Sequence, residues 1–253
     1  MGAASVGEGQ RPGWPRWRTA SFLAGIASLG IAAFSPVDAL AEELFSVHMV
    51  QHMLIVTIGA PLILLGAPVV PLVRGTPREL RRALHPIVAS GSLRRAVGFL
   101  RNPLVAALLY VAGLYAWHVP ALYDLAVGDR AVHQVQHAWY VASGLALWSV
   151  VVDPSPFAAT LAHGARIVYL AIVGAAQNTI LGGLLVFSAR PLYRSYEATT
   201  ARYGIAALTD QQAGGAIMWS MGSLIFFIAA SLAFFRWLEA EEREQRRREG
   251  RAE

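Results

Sequence analysis

Six stretches of mostly apolar residues, at 17–39, 44–72, 103–119, 132–152, 167–187 and 212–237, leave this chain few ways to fold. An α-helix needs about 20 apolar residues to cross a ~30 Å hydrocarbon core, and each stretch is close to that length. Of the 253 residues 55% are hydrophobic and 15% charged, where a soluble domain carries nearer a quarter charged residues. The expected fold is all-α: a polytopic membrane helix bundle with about six transmembrane helices and short interfacial helices. Residues 1–16 form a cytoplasmic tail, 17–238 the six-span domain and 239–253 a charged cytoplasmic tail. The first stretch, followed by Ala39-Leu40-Ala41, also fits a cleavable signal peptide.

Arginine sets the orientation. All 21 basic side chains are arginine. With the N-terminus inside, 17 arginines fall in inner segments and only Arg130, Arg190, Arg194 and Arg202 in outer ones, so both termini are expected in the cytoplasm. Residues 76–101 are too polar to span. They predict two inner-leaflet helices, the first started by Thr76 as N-cap with Pro77 and Glu79 behind it and ended by Pro86, the second over 92–100. The mixed-charge C-terminal run reads as a solvated helical extension.

The same orientation sorts the histidines. His48-Met49-Val50-Gln51-His52 and His133-Gln134-Val135-Gln136-His137 both spell H-x-x-Q-H, each at the outer start of a span. Residues i and i+4 share a helix face, so each pentapeptide aims two imidazoles one way. Metal-binding side chains inside a span usually mark function. His48, His52, His133 and His137 are therefore candidate metal ligands, with His118, at the outer end of the third span, a candidate fifth. Gln51 and Gln136 are candidate hydrogen-bond partners that orient the imidazoles. Met49, Met53 and Met218 are possible soft ligands, because thioether with imidazole suits Cu(I); methionine as ordinary packing is the plainer alternative. His85 and His163 fall at the inner side and carry no assigned role.

Span six opens on Thr209-Asp210-Gln211-Gln212-Ala213-Gly214-Gly215. Thr209 or Asp210 reads as its cap, with Gln212 at capping-box distance from Thr209, and the two glycines allow close helix approach. Gln177 and Asn178 are expected to bond between helices. The absence of cysteine removes disulfides and thiolate metal sites. Walker, G-x-G-x-x-G, H-E-x-x-H and G-x-S-x-G signatures are also missing, so no enzyme activity is expected, and the inner arginines account for the net charge of +5 without nucleic acid.

Four ordered motifs resemble the CtaG-type assembly factors of caa3-type cytochrome c oxidase: residues 44–53 followed by Ala60-Pro61 and Gly66-Ala67-Pro68; Trp117-His118-Val119-Pro120; the second pentapeptide; and residues 210–219. The likeness runs from about Ser35 to Trp237. It implies a multi-pass protein of the bacterial plasma membrane, with oxidase subunits and membrane lipids as partners, that helps mature a haem-copper oxidase through its copper centres. Two alternatives stay open: a b-type haem protein, since two histidines on separate helices can ligate haem iron, and a metal-free scaffold for oxidase subunits.

Overall fold

The computed structural model describes residues 14–154 and 157–250; the expected tail at 1–13 lies outside them. All regular structure among the described residues is helical. Eleven helices follow one another: α1 (Arg16–Phe34), α2 (Pro36–Ala41), α3 (Phe45–Gly66), α4 (Val69–Gly75), α5 (Arg78–Val88), α6 (Gly91–Leu100), α7 (Pro103–Trp117), α8 (Pro120–Gly128), α9 (Arg130–Ser149), α10 (His163–Val186) and α11 (Ala207–Glu249). Four of them, α1, α3, α10 and α11, are long and apolar enough to cross a membrane. Of the other two expected spans, α7 has 15 residues and meets α6 at a 64° bend, and α9 has 20 residues with a polar first third.

Local chemistry explains the breaks. The first expected stretch stops at Phe34 because Ser35 is extended and its hydroxyl accepts from the Val37 amide, while Pro36 opens α2 at a position that needs no N–H. The second ends at Gly66, where Ala67 takes a left-handed conformation (φ 46°) ahead of Pro68. Asn102 caps α7 and Asp129 caps α9, each accepting two amides of the following turn.

Three sequence expectations need correction. Pro77, not Thr76, is the N-cap of α5, and Thr76 instead returns its hydroxyl to Leu72 O. Pro86 lies inside α5 rather than ending it, since the helix runs on to Val88. Neither Thr209 nor Asp210 caps α11: that helix starts earlier, behind Ala206, which places Asp210 within its first turn. The C-terminal run continues α11 to Glu249, laced by Glu–Arg pairs four residues apart.

The interior is built from α3, α7, α9, α10 and α11. The first half of α3 packs on the start of α11, and its second half on α1 and α9; α9 packs on α7, and α10 on α11. Gly214 faces Phe45, and Gly215 faces Gly182 and Leu185 of α10. As expected, the amides of α10 bond between helices: Asn178 donates to Tyr110 Oη (2.7 Å) and Gln177 accepts from Tyr115 Oη (3.1 Å).

Each of the three long inner helices contains one π turn, at Leu54–Gly59 in α3, Leu170–Ala176 in α10 and Met218–Gly222 in α11. Neighbours bond to carbonyls of the α3 turn: Leu54 O accepts from Ser28 Oγ and Val56 O from Trp148 Nε1, both at 2.8 Å. At the bundle end away from the paired histidines, Arg166 grips Asp153 at 3.2 Å. Partial burial works against the Asp153 charge, but the Ala159 amide and Arg166 outweigh it and hold the carboxyl below its usual range.

Candidate metal centre

The twin pentapeptides meet. His48 and His52 lie one turn apart on α3, and His133 and His137 one turn apart on α9. One ring nitrogen from each of His48, His52 and His133 lies within 4.8 Å of the other two. His48 Nε2 and His52 Nε2 are 2.9 Å apart. His137 completes the group, its ring centroid 4.2 Å from that of His133 and 5.8 Å from that of His52.

Tyr196 orients the first imidazole. Its hydroxyl donates to Ala41 O (2.9 Å), so its oxygen is left to accept from His48 Nδ1 (2.9 Å). That assigns the His48 proton to Nδ1 and leaves the Nε2 lone pair facing His52. Tyr123 approaches the same hydroxyl at 3.3 Å, and Tyr140 lies against His52 with centroids 4.4 Å apart. Sequence reasoning missed these tyrosines. Tyr196 belongs to a 3₁₀ turn, Arg194–Tyr196, in the connection between α10 and α11. That connection is tied over the cluster by Thr199 Oγ1 to Glu43 O (2.7 Å) and Ser195 Oγ to Asp124 (2.8 Å). Nothing in its local pattern announces a site.

Neither glutamine hydrogen-bonds an imidazole among the described residues. Gln51 points its amide away from the imidazoles, donating to Ala32 O (2.7 Å) and Asp38 Oδ1 (2.8 Å). An i+3 position can fall on either side of the histidine stripe, and here it faces α1 and α2. Gln136 is fully buried, yet neither of its amide atoms has a partner among the described residues.

Asp210 supports the site from a distance. It accepts from the Phe45 amide (2.6 Å), the Ser46 amide (3.3 Å) and Ser46 Oγ (2.5 Å). Leu44 offers no capping side chain, so a carboxylate from α11 caps α3 one turn before His48. Asp210→Ala should cost roughly 1–3 kcal/mol, since it removes the cap and strands a buried amide. A lower thermal midpoint in detergent, with His48 and His52 both still present, checks this.

The three methionines share a different wall. Met49, Met53 and Met218 are buried and line a cavity of about 10 Å³ together with His52 and His118. His118 Nδ1 donates to Leu114 O at 2.6 Å. The structure thus brings the two pairs together, and sets His118 and the thioethers around a cavity that His52 also lines.

Buried polar atoms are normally hydrogen-bonded. Here His52 Nδ1, His118 Nε2, His133 Nε2, His137 Nε2 and Tyr140 Oη are buried without a partner among the described residues. Imidazole nitrogens in that state fit a cation, which would take their lone pairs.

The fold and this nest of imidazoles define a helical membrane protein with a buried donor cluster at one end of its bundle. The chain belongs to the cytochrome c oxidase caa3 assembly factor family (Caa3_CtaG), whose pattern matches residues 2–240. It is 27% identical over 239 residues to an uncharacterized protein of Mycobacterium bovis and equally to one of Mycobacterium tuberculosis. It is 25% identical over 266 residues to an uncharacterized protein of Mycobacterium leprae. Each match takes in 91% of this chain and 35% of the relative, so the chain spans about a third of the length of these proteins. No solved structure matches the chain.

Proposed function

We propose that this chain is a plasma-membrane assembly factor that binds copper through His48, His52, His133 and His137 and supports maturation of the oxidase copper centres. The observation that carries the reading is the concentration of unpartnered, buried imidazole nitrogens at one end of the bundle. Neutral imidazole is a strong ligand for copper, and among the described residues no carboxylate stands in this group of ring nitrogens to favour calcium or magnesium. Haem is disfavoured by packing. The rings touch one another, and the adjoining cavity of about 10 Å³ is far smaller than a porphyrin.

The bundle crosses the membrane six times in this reading. The short α7 and the polar-headed α9 count as crossings because they pack on each other, α9 also on α3 and α7 also on α10. Both termini are then cytoplasmic and the histidines face outward, where copper reaches an oxidase. A reporter active only outside the membrane should be silent when fused after Glu253 and active when inserted between α8 and α9. The reverse pattern would place the histidines inside and defeat copper delivery.

Metal analysis of the purified protein beside its visible absorption spectrum tests the reading directly. Bound copper with no Soret band is expected. A Soret band would make this a haem protein; no metal at all, with histidines that can be replaced freely, would make it a scaffold.

A further inference from the structure

We infer that the cavity beside His52 is a second metal site, selective for a soft monovalent cation, Cu(I) or Ag(I), and separate from the His48–His52–His133 cluster. The inference goes beyond the proposed function, because the cavity can hold such an ion whether or not the cluster binds copper.

Three of the chain's five methionines line this one cavity. Met49 and Met53 come from α3, and Met218 opens the π turn of α11. All three are nearly inaccessible, whereas Met221, one turn on, is exposed. Thioethers alone would be read as packing. His118 points to more.

His118 closes α7 and lines the same cavity. Its Nδ1 proton is given to Leu114 O at 2.6 Å, so Nε2 carries a bare lone pair. That nitrogen is buried and has no partner, and His118 as a whole is 7% exposed. Tyr140 brings a second unpartnered polar atom to the lining. A cavity meant only for packing would gain nothing from a lone pair held in this way.

The donor set and the space select the ion. Thioether sulfur with imidazole nitrogen suits Cu(I) and Ag(I); Cu(II) favours tetragonal nitrogen and oxygen donors, and magnesium and calcium favour oxygen. About 10 Å³ admits roughly one water-sized centre, so an ion would bind without its hydration shell. That disfavours divalent ions, which hold water more tightly. The π turn contributes by placing Met218 on the cavity wall, a use such turns often have at functional sites.

His52 is the common wall. Its Nε2 faces His48 in the cluster, its Nδ1 has no partner, and its ring lines the cavity. An ion could move between the nitrogen cluster and the sulfur-rich cavity across this one ring, with no change of oxidation state if it arrives as Cu(I).

The test uses Ag(I), which mimics Cu(I) without redox chemistry, on the full chain purified in detergent. Titration is run with and without Zn(II) loaded on the cluster, and X-ray absorption at the silver edge reports the donors. Sulfur scattering is expected in wild type, together with Ag(I) uptake that Zn(II) does not block. Met53→Leu with Met218→Leu keeps the volume. It should weaken Ag(I) by about tenfold or more and cut the sulfur signal to what Met49 alone can give, leaving Zn(II) uptake and thermal midpoint unchanged. Unchanged Ag(I) affinity in the folded double variant would overturn the inference. If the variant does not fold, the wild-type spectrum decides, because silver bound without sulfur neighbours would overturn it equally. His133→Ala keeps the two readings apart: it should lower Zn(II) and copper uptake at the cluster while the Ag(I) site persists.

Discussion

His52→Ala and His137→Ala should each weaken copper binding by at least about 10- to 100-fold, the range seen when even the groups supporting a metal ligand are removed. His52 is the more damaging loss, because its Nε2 meets His48 and its ring lies against Tyr140 at the centre of the group. The double variant should fall little below the worse single one, since residues that hold one ion act as a unit and their effects do not add. His85→Ala, in α5, changes an exposed side chain and should leave copper uptake intact. Copper per protein, measured by metal analysis beside circular dichroism, checks all four. Full copper in both single variants, with oxidase maturation still failing, would return these histidines to a structural role.

Gly215→Leu should largely abolish the yield of folded protein. A Cβ on Gly215 would come within 2.8 Å of Leu185 Cβ, 2.9 Å of Gly182 O and 3.0 Å of the Val186 amide. Two of these are backbone atoms, which cannot swing aside, so α10 and α11 would have to part. Overpacking in a tight core costs about 1–3 kcal/mol and sometimes more, and a backbone collision belongs at the upper end. Gly183→Leu is the control, for nothing lies within 4 Å of its added Cβ. Detergent-solubilised yield and size-exclusion profile should separate the two variants clearly.

Periodicity and charge made the helices and the paired histidines legible from sequence. The i, i+4 rule placed each pair on one face, and matching depths brought the pairs together. What stayed hidden depended on contacts between distant segments. Asp210 reads as a cap for its own helix, and only the fold shows that it serves α3 instead, 165 residues away. Tyr196 lies in an irregular connection, where no repeat signals its contact with His48. Gln51 is near enough to the histidine stripe to suggest a role there, yet Ala32 and Asp38 claim its amide. The division between a nitrogen cluster and a thioether-lined cavity depends on which side chains of distant helices meet around His52, and spacing along a helix cannot convey that.

The π turns bear on how this chain tolerates changes in length. A π turn accommodates one residue more than the α-helical turn it replaces. Deleting a single residue from Met218–Gly222 would restore plain α-helix and leave everything beyond it in nearly the same phase, whereas the same loss from unbroken α-helix would swing the remainder by about 100° around the axis. Phe226, whose ring stacks on Trp148 at 5.2 Å, would keep that partner and its packing against Gly174 in the first case and turn off both in the second. The same holds for Leu54–Gly59 in α3, where His48 and His52 lie before the widened turn and the contacts with α1 and α9 at and beyond it. In each of these helices the widened turn takes up one supernumerary residue, so a deletion there is a local loss rather than a rotation of half a span.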